Sequence, residues 1–187
     1  MKFPSLHALV LLAALPLAAQ AADTVTNADK PRSLPEEGPV AVSWNDPAQF
    51  SEVRHSFNRW EAERGDWVKQ LAEHLRKSAG KQLQPGERLE VNIVDIQRAG
   101  QYEPWRGPSM DHVRIVRDRY PPRMELNYTL YGADGQVLAQ GDDKFSDLGF
   151  MLGSSPINQN DPLRYEKRMI DDWVRRDMRA PRELSSR

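Results

Sequence analysis

Between residues 123 and 143 the chain alternates apolar and polar side chains. Met124, Leu126, Tyr128 and Leu130 fall on one face of an extended strand, and Glu125, Asn127 and Thr129 on the other. Gly132-Ala133-Asp134-Gly135 supplies a turn, so the stretch predicts a β-hairpin. A loop of two or four residues sets Val137 and Ala139 on the face of Tyr128 and Leu130. A loop of three turns Leu138 inward instead, because a one-residue slip reverses every side chain.

The same pattern places the other elements around that hairpin. Val40, Val42 and Trp44 share a face of a short strand, and Asn45-Asp46-Pro47 ends it and opens a helix. Phe50, Val53, Phe57, Trp60, Trp67, Val68, Leu71 and Leu75 then follow at spacings of three, four and seven. They predict one long amphipathic helix to Gly80, weakened at Gly65 where it can divide in two. Leu89, Val91, Ile93 and Asp95 alternate along a second strand. Residues 97–108 lose all periodicity and read as a loop, and Val113-Arg114-Ile115-Val116 as a third strand. Asp161-Pro162 repeats the helix-opening signal, and Leu163, Met169, Ile170, Trp173 and Val174 give that last helix an apolar face. The expectation is an α+β fold: a single antiparallel sheet of about five strands, with a long N-terminal helix and a C-terminal helix packed on one face. Trp60 and Trp67 of the first helix and Trp173 of the last are expected to roof the sheet.

The N-terminus changes the picture from fold to destination. Lys2, the apolar run at 8–19 and the small-x-small pattern Ala19-Gln20-Ala21 read as a secretory signal peptide cut after Ala21. That apolar run is shorter than the roughly 20 residues of a membrane span. Residues 22–39 read as a flexible leader, 40–180 as one globular domain and 181–187 as a frayed tail. The absence of cysteine removes lipoprotein attachment, disulfides and thiolate chemistry, and with an export signal it fits the bacterial periplasm. Removing 21 of 187 residues leaves 166, with 25 basic against 27 acidic side chains. Such a balance gives no electrostatic reason to expect nucleic acid as a partner, and no later stretch is apolar enough to span a bilayer.

Five blocks carry a resemblance: VSWNDPAQFSEVR at 42–54, IVDIQRAGQYEP at 93–104, YPPRMELNYTLYGADGQV at 120–137, KFSDLGFM at 144–151 and LRYEKRMIDDW at 163–173. In this order they resemble the bacterial domain of unknown function family 3016, over nearly the whole chain after the signal. The resemblance implies an exported protein of proteobacteria and implies no activity. Where the family pattern has DLAG after the second strand, this chain has Asp95-Ile96-Gln97-Arg98-Ala99-Gly100, so Asp95, Ala99 and Gly100 fit only with extra sequence between Asp and Ala.

Candidate chemistry is sparse. Asp95, at the end of a strand, is either a carboxylate at a pocket rim or a turn cap holding backbone N–H groups of its own loop. Tyr102, Trp105 and Arg106 sit in the 97–108 loop with the composition of a binding hot spot; alternatively Trp105 folds back over the core edge with Arg106 reaching outward. Arg114, Arg117, Arg119 and Arg123 form either a basic stripe or, interleaved with Asp111, Asp118 and Glu125, a salt-bridged strand face. His55, His74 and His112 lack metal-ligand spacing, no nucleophile elbow or phosphate loop is present, and no cofactor is expected.

These readings favour a non-enzymatic periplasmic binding module. Its partner would be an envelope protein or a small ligand held at Tyr102, Trp105, Arg106 and Asp95. On that reading, deleting residues 102–107 leaves the fold intact and removes the partner. The alternative is a carboxylate-dependent hydrolase using Asp95 and Asp118 in one cleft. A third possibility is a dimer joined along an exposed sheet edge.

Overall fold

The computed structural model describes residues 23–152, 157 and 159–177. The signal segment 1–21 and the tail 181–187 lie outside them. Four strands make the main sheet: β1 (Val40–Trp44), β2 (Arg88–Gln97), β5 (Arg123–Tyr131) and β6 (Val137–Ser146), side by side in that order. Two short strands, β3 (Gln101–Tyr102) and β4 (Arg114–Ile115), form a separate antiparallel pair. Four helices complete the fold: α1 (Ser51–Arg54), α2 (Arg59–Glu63), α3 (Trp67–Gly80) and α4 (Arg164–Asp177).

The fold is α+β, but the sheet is mixed. β1 runs parallel to β2, pairing Val40 with Leu89 and Trp44 with Ile93, while β2–β5 and β5–β6 are antiparallel. The cause is connectivity: a parallel neighbour needs a crossover of a dozen or more residues, and the helices between β1 and β2 supply one. The expected third strand at 113–116 joins the small sheet as β4 and leaves the main one.

The single long N-terminal helix is also corrected, because it breaks twice. Ser56 Oγ donates to the Asn58 carbonyl and accepts from Asn58 N–H, and Asn58 Oδ1 accepts from Glu61 N–H at 3.2 Å. Such side-chain bonds satisfy the backbone outside a helix, so α1 ends and α2 starts afresh. Gly65, at φ 84°, makes the second break and donates its N–H to the Asp23 carbonyl. The two interruptions turn Phe57 and Trp60 out of the expected stripe; they are 60% and 61% exposed. Trp67 and Trp173 are buried as expected, and Trp60 is not a roof over the sheet.

The hairpin forms where the alternation placed it, with Met124, Leu126 and Leu130 buried. Five residues separate the paired Tyr131 and Val137, and a bulge at Leu138 brings Ala139 opposite Leu130. Ala139 therefore packs against the core as expected, whereas Val137 is exposed. A second bulge, at Val94, puts Ile96 into the core in the place the uninterrupted alternation gave to Asp95.

Core residues come from one face of the sheet together with α3 and α4. Trp173 stacks on Phe145 at 5.6 Å, meets Tyr128 edge-on at 5.7 Å, and donates from Nε1 to Asp143 at 2.7 Å. Ser43, Asn92, Asn127 and Asp142 form a hydrogen-bonded row across all four strands. The stretch read as a flexible leader is instead held along the domain from Asp23 onward. Leu34 N–H donates to Val42 O, Trp44 N–H to Arg32 O and Val25 N–H to Glu63 O, and Val25 and Leu34 are buried in the core. Two apolar side chains in a polar stretch are enough to anchor it.

Candidate functional site

Two anchors, built on three buried glutamates, fasten the segment between β2 and β5. Glu52, on α1, accepts from Arg98 N–H and Arg98 Nη2, both at 2.9 Å. Arg114 grips the same carboxylate with two guanidinium nitrogens, at 2.7 and 2.9 Å. Arg114 also donates to the carbonyls of Arg98, Ala99 and Gly100, closing the loop around itself. Gly100 sits at φ 83°, where a Cβ would stand 2.8 Å from the Ile115 carbonyl, so a side chain is excluded. Burial pushes the Glu52 pKa up, but Arg114 and Arg98 outweigh it and hold the carboxyl below its ordinary range. On the other side Glu166, from α4, accepts Ala99 N–H at 2.6 Å, while its Oε2 is buried with no partner among the described residues. Burial pushes the Glu166 pKa up, only partly opposed by the Ala99 N–H, Arg114 and Arg98, which favours the neutral acid.

The second anchor is Glu103, whose side chain is fully enclosed. It accepts from Arg106 Nε at 2.8 Å, Arg117 Nη2 at 3.0 Å, Arg119 Nη2 at 2.8 Å and the Tyr120 hydroxyl at 3.2 Å. Burial opposes its ionisation; Arg119, Arg117, Tyr120 and Arg106 together overcome that and hold its pKa down. The arginines keep outward surface: side chains of Arg106, Arg117 and Arg119 are 43%, 36% and 54% exposed. Trp105, in the 3-10 turn Pro104–Arg106, is 60% exposed and meets Phe57 edge to face at 5.2 Å. Asn58 Nδ2 donates to the Asp111 carbonyl, tying the start of α2 to this loop. Phe57 and Trp105 thus form one exposed aromatic corner, and Trp60, in α2, is exposed with the Arg64 guanidinium over its ring.

The four expected site residues do not make one site. Trp105 and Arg106 share the exposed turn. Tyr102 is buried at 5% exposure beneath the Arg114 guanidinium and is unavailable to a partner. Asp95 accepts Ser51 N–H at 2.5 Å, so it caps the start of α1 across the sheet end. Asp118 binds the backbone N–H of Arg119, and no contact among the described residues brings it to Asp95. Of the four arginines expected to pair with Asp111, Asp118 and Glu125, Arg114 pairs instead with Glu52, and Arg117 and Arg119 with Glu103. Residues 102–107 cannot be removed harmlessly, because they contain buried Tyr102 and the Glu103 that binds three arginines.

Other polar groups are paired elsewhere. His74 Nε2 lies 2.9 Å from Asp171, which also accepts from Ser78 Oγ, joining α3 to α4. Among the described residues no three histidine or acidic side chains gather as a metal site, and no helix is long and apolar enough to cross a membrane. A cleft of about 310 Å³ lies between the N-terminal segment and α3, lined by Val25, Pro35, Trp44 and Lys69.

A family model described as a protein of unknown function, DUF3016, matches residues 38–176. The chain belongs to the DUF3016 family. No curated protein and no solved structure matches it. The DUF3016 region takes in both glutamate anchors, their arginines, and the exposed Phe57, Trp60 and Trp105.

Proposed function

We propose that this protein is an exported, non-enzymatic binding module of the cell envelope, and that its contact surface is the edge carrying Phe57, Trp60 and Trp105. The observation that carries the reading is that three large aromatic rings are each about 60% exposed, and that Trp105, against Phe57, sits in a turn whose neighbours Glu103 and Arg106 belong to a buried ion cluster. Exposed aromatics beside arginine are what interface hot spots are made of, and a rigid base lowers the entropy lost on binding. The buried glutamates serve the fold: Glu52 and Glu103 are saturated by guanidinium donors and Glu166 holds a backbone N–H. Asp95 and Asp118, on which the hydrolase alternative depended, are each engaged with a different backbone N–H. The signal at 1–21 supports delivery to the periplasm.

Two measurements test this. N-terminal sequencing of protein from the periplasmic fraction should begin at Ala22; an uncut chain retained in the cytoplasm would refute export. A photo-reactive residue at position 60 should give a discrete crosslink in cells that disappears when Phe57→Ser and Trp105→Ser are introduced together. If the crosslink persists in a double variant that melts normally, the aromatic edge is not the contact surface.

A further inference from the structure

The ion cluster at Glu103 is unbalanced. Three guanidiniums, Arg106, Arg117 and Arg119, bind one carboxylate, leaving a surplus of two positive charges. Each guanidinium offers roughly five N–H donors in a planar fork, and Glu103 uses one from each. Arg117 Nε is buried without an acceptor among the described residues. The nearest other carboxylate in sequence, Asp118, takes the backbone N–H of Arg119 and pairs with none of the three guanidiniums. Purely structural pairing has no need of this excess, since gathered cations repel one another. Trp105, which precedes Arg106 in the same 3-10 turn, meets Phe57 in an exposed apolar corner.

We infer that the arginine triad on Glu103, flanked by the Trp105–Phe57 corner, binds a phosphate monoester whose substituent is flat and apolar. This deepens, and rests on, the reading of that edge as a binding surface. A phosphate monoester carries about two negative charges near neutral pH, which matches the surplus, whereas a carboxylate would leave one cation unanswered. Arginine forks suit phosphate oxygens geometrically. Glu103 would act as a positioning residue that fixes the three forks before the ligand arrives, and the aromatic corner would cover the substituent.

The test uses purified mature protein, with calorimetric titration of phenyl phosphate and inorganic phosphate at low salt. Phenyl phosphate should bind saturably and more tightly than inorganic phosphate. Arg119→Gln and Arg117→Gln, made separately, should each weaken it about tenfold or more, the loss expected of one charge-assisted hydrogen bond. Melting curves identify any variant that has lost its fold, and the exposed Arg119 is the safer of the two. Sedimentation with phosphatidic acid vesicles against phosphatidylcholine vesicles separates a lipid-borne monoester from a soluble one, and phosphatidic acid binding without saturable binding of phenyl phosphate overturns the flat apolar substituent. No saturable binding of either phosphate, or affinity unchanged in both folded variants, overturns the inference. The titration needs no cellular partner, so its failure is distinct from loss of the crosslink at position 60.

Discussion

Glu52 and Glu166 hold the backbone on either side of the Arg98–Ala99 peptide, yet they respond to pH in opposite senses. The Glu52 carboxyl has its pKa depressed in the fold, so its contribution is present above the unfolded value and is lost as pH falls through the folded one. The Glu166 pKa is raised, so the folded state binds more protons than the unfolded chain just above the ordinary carboxylate range. Stability is then lost as pH rises through that window. Glu166→Gln should therefore flatten the decline that sets in above the ordinary carboxylate range in urea titrations, while the acid limb stays as in the parent. A decline of the same steepness in the variant would show that Glu166 is ionised in the fold. Glu52→Ala leaves Arg98 and Arg114 unpaired in a closed site and should cost about 3–5 kcal/mol by urea unfolding at pH 7. Neither role was visible in the sequence. Glu52 and Glu166 lie on separate helices, and only the fold brings them to the loop that follows β2.

At the scale of elements, regular alternation was readable, and so was the division at Gly65, but the break at residues 55–58 and the two bulges were not. The hairpin and α4 followed from period together with the turn at 132–135 and the helix-opening Asp161-Pro162. The apolar stripe from Phe50 to Leu75 kept a helical spacing through Phe57 and Trp60, so nothing in the spacing announced the break. The information sat in Ser56, Asn58 and Gly65, whose local bonds and positive φ compete with the helix. The exposed aromatic edge follows directly from that competition. Gly65→Ala meets no neighbour within 4 Å, so its cost is conformational only, about 1–2 kcal/mol. A urea midpoint indistinguishable from the parent would mean the turn re-forms without positive φ. The parallel pairing of β1 was readable but not read, because a strand, a helical crossover and a second strand are the ingredients of a parallel neighbour. Val94 is the opposite case, since a bulge has no signature in VNIVDIQ. Its deletion should remove the bulge while Asp95 stays opposite Glu125 and Ile96 opposite Met124, so the near-UV signal of the buried tryptophans should survive; loss of that signal would mean that the core needs the bend as well as the register.

For the whole molecule, the family match begins at residue 38 while the described fold begins at Asp23. The segment between them lies along β1, where Ser33 bridges Ser43, and reaches α2, where Thr24 bridges Arg64. The hydrogen bond from Gly65 to Asp23 ties it to the very turn that separates α2 from α3. Composition hid this, because a stretch rich in proline, acid and amide residues carries its two anchors, Val25 and Leu34, far apart. A chain beginning at residue 38 would keep every residue of the family match and lose both anchors, each worth about 1.5–3 kcal/mol of apolar burial. It would also uncover Trp44 and free the turn at Gly65, on whose geometry the outward set of Trp60 depends. The truncated protein should therefore unfold at lower urea than the mature chain and show a red-shifted tryptophan emission before unfolding. Equal midpoints and equal emission would mean that the segment only rests on the domain and that residues 38–176 fold as a complete unit.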